Sequence, residues 1–111
     1  IDILQPDVTW CGGLTELLRI SSMAAAYDIP VVPHGSGAYS YHFVITQPHC
    51  PFCEYLNTSP DCLSFPSVFG NLFENEILPV NGKIKLNNEP GFGMKLNRKD
   101  LNLNRVFPSN E

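Results

Sequence analysis

Asp7, His34 and Glu54 are the residues of this chain whose types and spacing suit acid/base chemistry. Histidine is the side chain whose ordinary pKa lies nearest neutrality, so a positioned imidazole can take and return a proton at physiological pH. A carboxylate bonded to one ring nitrogen fixes the tautomer and stabilises the imidazolium once it forms, a part open to Asp7. A second carboxyl, kept protonated in a low-dielectric site, can donate a hydrogen bond to a developing oxyanion, a part open to Glu54. Each residue has a plainer reading. His34 can be a hydrogen-bonded structural histidine before a turn, Asp7 a turn or helix-cap aspartate after Pro6, and Glu54 an ion-pair partner.

A parallel sheet would bring the three together. His34 follows the β-branched pair Val31-Val32 and Pro33, and precedes the turn Gly35-Ser36-Gly37. In sheets whose parallel strands alternate with helices, chemistry is placed at the C-terminal strand ends. Residues 1–5 read as a first strand, with Asp7 just beyond Gln5-Pro6. Gly12-Gly13 opens a helix whose apolar residues Leu14, Leu17, Leu18, Ile20, Met23, Ala24 and Tyr27 recur at helical steps and predict a buried stripe. Glu16 and Arg19 fall on its polar side, and Pro30 forces it to end by Ile29. Val31-Val32 is the second strand. Residues 40–47 read as a shorter helix closed by Pro48, and residues 52–56 as a third strand holding Glu54.

This order predicts an α/β fold with parallel strands joined by right-handed crossovers. The steps from Ile3 to Val31, 28 residues, and from Val31 to Cys53, 22 residues, suit units of a (β/α)8 barrel and also an open doubly wound sheet. Three parallel strands alone would leave two edges and much apolar surface uncovered. The chain also opens inside a strand, at Ile1-Asp2-Ile3-Leu4. Both features predict a fragment of a longer protein and an incomplete barrel.

Composition excludes several classes. With 43% apolar and 16% charged residues the chain is globular in character. Its net charge of −4 and lack of a basic cluster argue against nucleic acid and anionic membrane as partners. No apolar run reaches membrane-spanning length. Cys11, Cys50, Cys53 and Cys62 are too few and too unevenly spaced for a disulfide scaffold, which favours a reduced, cytoplasmic setting. Cys50 and Cys53, with His49 and Cys62 nearby, admit a zinc module; with no second close pair, buried free cysteines are the stronger reading.

Beyond Thr58 the character changes. Phe65, Phe69, Leu72, Phe73, Ile77 and Leu78 lie in a Pro- and Gly-interrupted segment that reads as docking on another surface. Pro79 to Ile84 carries a hairpin signal with Asn81-Gly82 in the turn. Pro90-Gly91-Phe92-Gly93 is a second tight turn, and residues 96–111 read as a polar surface tail. Residues 1–58 are thus expected to be barrel, and residues 59–111 a C-terminal segment with a hairpin and a tail.

The segments QPD, CGG, VVPHGSGAYSYHF and PFCEYLN, in that order, resemble the last barrel strands of the mandelate-racemase branch of the enolase superfamily. NGKIKLNNEPGFGMKLN is similar to the segment by which such proteins return from barrel to capping domain, and the resemblance covers nearly all of residues 1–97. It implies a sugar-acid dehydratase, a hydro-lyase that removes the proton α to a carboxylate and then expels the β-hydroxyl. It implies Asp7 and His34 as a dyad with His34 the base, and Glu54 as the acid that bonds the substrate carboxylate and its enediolate. It also implies Mg²⁺, a sugar-acid substrate, the rest of the barrel and the capping domain as partners, and a homo-oligomer when complete.

The family's metal-binding carboxylates sit on earlier strands, and Asp2, Glu16, Glu74 and Glu76 read as surface charges, so no metal ligand is assigned to this chain. Trp10, Ser36, Tyr39, Tyr41 and His42 are secondary substrate-contact candidates, each with packing or its own turn as the plainer role. Three alternatives stand beside the dehydratase: a racemase or a dehydratase for another acid sugar, a non-catalytic remnant that binds a partner through its open sheet edges, and the zinc module. Residues 1–111 alone are expected to be inactive.

Overall fold

The computed structural model describes residues 1–35 and 37–99. Parallel pairing joins residues 4–7 to residues 31–34 in one register, through the bridges Leu4 to Val31 and Asp7 to His34. Three backbone bonds carry it: Leu4 N–H to Pro30 O (2.9 Å), Val32 N–H to Leu4 O (2.9 Å) and His34 N–H to Pro6 O (3.0 Å). Pro6 and Pro33 have no N–H to add, so the ladder stays thin. Pairing therefore starts later than the expected strand over residues 1–5, and Ile1 and Ile3 are exposed.

Helix α1 spans Leu14–Ala26. It ends as its sequence requires. Asp28 takes the left-handed conformation (φ 54°), Ile29 N–H reaches back to Ala24 O (2.9 Å), and Asp28 N–H to Ala25 O (3.2 Å). These two bonds satisfy carbonyls that the helix end would leave unpaired, just before Pro30. Helix α2 spans Ala38–Thr46, starting two residues earlier than its pattern predicts.

The predicted stripe of α1 is only partly buried. Leu17 and Ala24 are in the core, with Ser21 between them, whereas Leu18, Met23 and Tyr27 are exposed. Ser21 is accommodated because its hydroxyl meets His49 Nε2 (2.9 Å) and Gln47 Oε1 (3.2 Å). Val8, Leu17, Ala24, Val31 and Phe43 form the first core cluster. Ala38, Tyr41 and Ile77 form a second, packed by Tyr55, Ile84, Leu86 and Met94. Helix α2 thus contributes to both, and this explains its apolar character nearly all round. Leu17, wholly buried, is the pivot of the first cluster. Leu17→Ala should cost about 2–5 kcal/mol by lost burial plus a residual cavity. Denaturant titration of the two chains checks it, and a midpoint unchanged by the substitution would refute the packing described.

Residues 52–56 do not form the expected third strand: no bridge involves them among the described residues, and Phe52 is exposed. A parallel strand needs a neighbour's backbone within ladder distance. Here Val31 N–H, on the side where such a neighbour would lie, is directed at His49 O (3.4 Å). At Asn81-Gly82 the turn forms, with left-handed φ at both residues (51° and 70°) and paired bonds between Val80 and Lys83, but the flanking strands go no further than that bridge. The expected surface tail is also corrected at its start. Leu96 bridges Phe73 antiparallel, and Asn97 N–H reaches Leu72 O (2.9 Å); the rest of the tail from residue 100 lies outside the described residues. Glu76 is no free surface charge, because it accepts from the Ser67 hydroxyl and from Val68 N–H (3.1 Å), closing the loop between them.

The radius of gyration is 16.3 Å, against about 13 Å for a compact domain of this size. Ile1, Trp10, Met23, Tyr27, Ile45 and Leu63 all stand largely in solvent. No helix among the described residues is long and apolar enough to cross a membrane.

Candidate active site

The parallel register sets Asp7 and His34 side by side, each just past the last apolar residue of its segment. His34 is half-exposed at this end. Its Nδ1 lies 2.9 Å from Glu54 Oε2, and the same oxygen accepts Gly35 N–H at 2.5 Å. The other oxygen, Oε1, receives the Gln5 side-chain amide at 3.4 Å. All three candidate groups therefore meet at one end of the paired segments. The imidazole contacts Glu54, whereas the dyad expectation put it with Asp7.

Asp7 is occupied by its own turn. Its Oδ1 accepts Thr9 N–H (2.7 Å) and the Thr9 hydroxyl (2.6 Å). The Thr9 hydroxyl is the chief reason the Asp7 carboxyl is held below its ordinary 3.8; burial opposes it as the next-largest effect, and the backbone amides of Thr9 and Trp10 and the charge of His34 each lower it further. A depressed carboxyl favours the folded state above its unfolded pKa, and that contribution is lost as pH falls through the lower folded value. Thr9→Val removes the leading donor, so the Asp7 titration should move up toward 3.8. Carbon-detected NMR titration of Asp7 reads this directly; an unmoved midpoint would assign the depression to another cause.

Tyr39 folds back over the glycine turn. A Cβ on Gly37 would lie 2.7 Å from Tyr39 Cζ, so this position takes a residue without a side chain. Burial raises the Tyr39 pKa, and the negative charge of Asp7 raises it further. The Phe92 ring packs edge-on against both Tyr39 and His42, at 6.4 and 5.7 Å between centroids. Of the other secondary candidates, His42 has its Nε2 buried with no hydrogen-bond partner among the described residues, Tyr41 is 4% exposed within the second core cluster, and Trp10 is 89% exposed. Ser36 lies outside the described residues.

The cysteines do not gather into a metal centre. All four are free thiols, and burial raises the pKa of Cys50 and of Cys53. Among the described residues no group of three or more His, Cys, Asp or Glu could hold a metal ion. The groups that the described residues bring together at this site are suited to proton transfer and hydrogen bonding.

Sequence reading missed Gln5, Thr9 and the Gly35 amide. Two of them left a signal: Gln5 stands two residues before Asp7, on the same face by strand alternation, and Thr9 two residues after it, where an aspartate commonly closes its own turn.

The family model described as "Enolase C-terminal domain-like" matches residues 1–100. The L-rhamnonate dehydratase of Saccharopolyspora erythraea is 51% identical over 106 residues, which are 96% of this chain and 27% of that protein. The crystal structure of L-rhamnonate dehydratase from Gibberella zeae superposes with a TM-score of 0.81 at 55% identity, over 89% of this chain and 26% of that one. A second structure from Gibberella zeae, of rhamnonate dehydratase complexed with Mg, gives a TM-score of 0.77 at 55% identity over 89% of this chain and 25% of that one. The chain thus spans about a quarter of the length of the relatives it matches.

Proposed function

Because the chain belongs to the enolase C-terminal domain-like family, we propose that it forms the acid/base part of a hydro-lyase that converts L-rhamnonate to 2-keto-3-deoxy-L-rhamnonate. The observation that carries this reading is the meeting of His34, Asp7 and Glu54 at one end of a parallel strand pair, in a chain about half identical to rhamnonate dehydratases.

The geometry supports the following roles. His34 Nδ1 faces Glu54, so Nε2 is the nitrogen left for the substrate. It takes the proton from the carbon next to the carboxylate, and the imidazolium so formed sits between two carboxyl groups that stabilise it. Asp7, pre-set by Thr9 and ionised across the neutral range, supplies the fixed charge. Glu54 stands where it can bond the substrate carboxylate. Loss of the β-hydroxyl and tautomerisation then leave the 2-keto-3-deoxy acid. Mg²⁺ is the cofactor of the complete enzyme in this reading, held by residues other than those described here.

In the same reading residues 1–58 complete a (β/α)8 barrel, and residues 59–111, with their hairpin turn, run back toward a capping domain. The exposed Ile1, Ile3 and Trp10 would be covered by the remaining barrel, the protein would assemble as a homo-oligomer, and it would work in the cytoplasm. The test is a completed barrel: this chain joined to the preceding strands of a rhamnonate dehydratase, supplied with L-rhamnonate and Mg²⁺. Accumulation of the 2-keto-3-deoxy acid is expected. Absence of product, where the parent dehydratase is active, would refute the assignment, and epimerised substrate instead of product would redirect it to a racemase.

A further inference from the structure

Glu54 is met by hydrogen-bond donors from two parts of the chain, residues 34–35 and Gln5. Gly35 N–H and His34 Nδ1 meet Oε2, and the Gln5 amide meets Oε1. Donors aimed at a carboxyl favour its ionised form, whereas a group that must donate to an oxyanion has to carry a proton at some stage. A lysine at position 5 would hold Glu54 permanently ionised, an acidic residue would repel it, and an aliphatic one would leave Oε1 without a protein partner. Glutamine does none of these. A half-turn of its amide exchanges the donor NH₂ for the acceptor oxygen, so one side chain can serve both ionised and protonated Glu54.

We propose that Gln5 is a positioning residue that holds the Glu54 carboxyl against Gly35 and His34 in both of its protonation states. Its part in turnover rests on the dehydratase reading; its hold on Glu54 does not. Gln5 is well placed for the task because it lies on the same strand face as Asp7, and its amide bridges the first paired segment to Glu54, which lies in no strand among the described residues. Without that bridge, the donors left to Glu54 among the described residues are the Gly35 amide and His34. Of the titratable groups nearby, His34 is in direct contact with Glu54, Asp7 is paired with His34, and Tyr39 from α2 feels the charge of Asp7.

The first experiment observes Glu54 itself, by carboxyl-detected NMR titration of the 111-residue chain. Gln5→Glu should raise the Glu54 midpoint by about one pH unit, and Gln5→Lys should lower it by a similar amount, as expected for a charge within about 4–6 Å. Opposite signs at one position cannot come from unfolding. The Gly35 amide resonance should follow the Glu54 titration in the parent and lose most of that response in Gln5→Leu, while the α1 and α2 signals stay in place. Superimposable Glu54 curves in Gln5→Glu and Gln5→Lys, or a Gly35 response undiminished in Gln5→Leu, would overturn the proposal. The second experiment uses the completed barrel. Gln5→Leu should lower kcat about tenfold or more, since small misplacements at a reacting centre are costly, and should displace the limb of the pH–rate profile that belongs to Glu54. A parent barrel without turnover would sink the dehydratase reading and leave the NMR result standing. An active barrel indifferent to Gln5→Leu would overturn the role in turnover.

Discussion

His34→Asn, in a barrel completed with the preceding strands, is expected to lose exchange of the substrate's α-proton by about a hundredfold to ten-thousandfold, the range that a positioned general base contributes. Asparagine approximates the ring's size and polarity but cannot accept the proton, so the loss would report chemistry and not binding. The fold should survive. The backbone bond from residue 34 N–H to Pro6 O does not involve the side chain, and His34 is half-exposed. The measurement is deuterium uptake at the α-carbon in heavy water, followed with the helicity of the variant. Exchange near the parent rate would remove His34 from the role of base and leave it as a support for Glu54.

The 111-residue chain supplied by itself with L-rhamnonate and Mg²⁺ is expected to give no product, against steady turnover by the completed barrel. Removing a proton from the carbon beside an ionised carboxylate builds a second negative charge, and most of an enzyme's advantage at that step comes from fixed opposing charge. Such charge is usually a hard cation on converging oxygen ligands, and the described residues contain no cluster able to hold one. Positioning fails as well. A working site needs its groups held to about 0.5 Å, yet no strand pairing holds Glu54 among the described residues. The exposed Ile1, Trp10, Met23 and Tyr27 should also make the isolated chain prone to self-association. A product assay on chain free of any full-length enzyme decides the matter, and clear turnover would overturn it.

How much was legible depended on how far along the chain the deciding interaction reaches. That α1 stops before Pro30, and that Asn81-Gly82 makes a turn, were readable, because backbone sterics, proline's missing donor and glycine's freedom act within a few residues. The order of strand and helix signals likewise predicted that a strand over residues 1–5 would lie parallel to Val31-Val32 with Asp7 and His34 as neighbours, and the pairing found runs from residues 4–7 to residues 31–34. Other features could not be read locally. The strand pattern of residues 52–56 states only that those residues would suit a sheet, and a sheet also needs a backbone neighbour in bridging register, which they do not meet among the described residues. The apolar period of α1 marked Met23 and Tyr27 as buried, but burial also requires a covering surface, and both stand in solvent. The ring partner of His34 was the last thing a sequence could assign. Asp7 and Glu54 are both carboxylic acids beside His34, and the contact went to Glu54 with Thr9 occupying the Asp7 oxygen while Gly35 N–H, 19 residues away in sequence, and Gln5, 49 residues away, hold Glu54 at the imidazole. Local preferences therefore specified which groups are present and where the backbone turns. Only contacts between distant segments, each set by where the others come to rest, decided which of those groups touch.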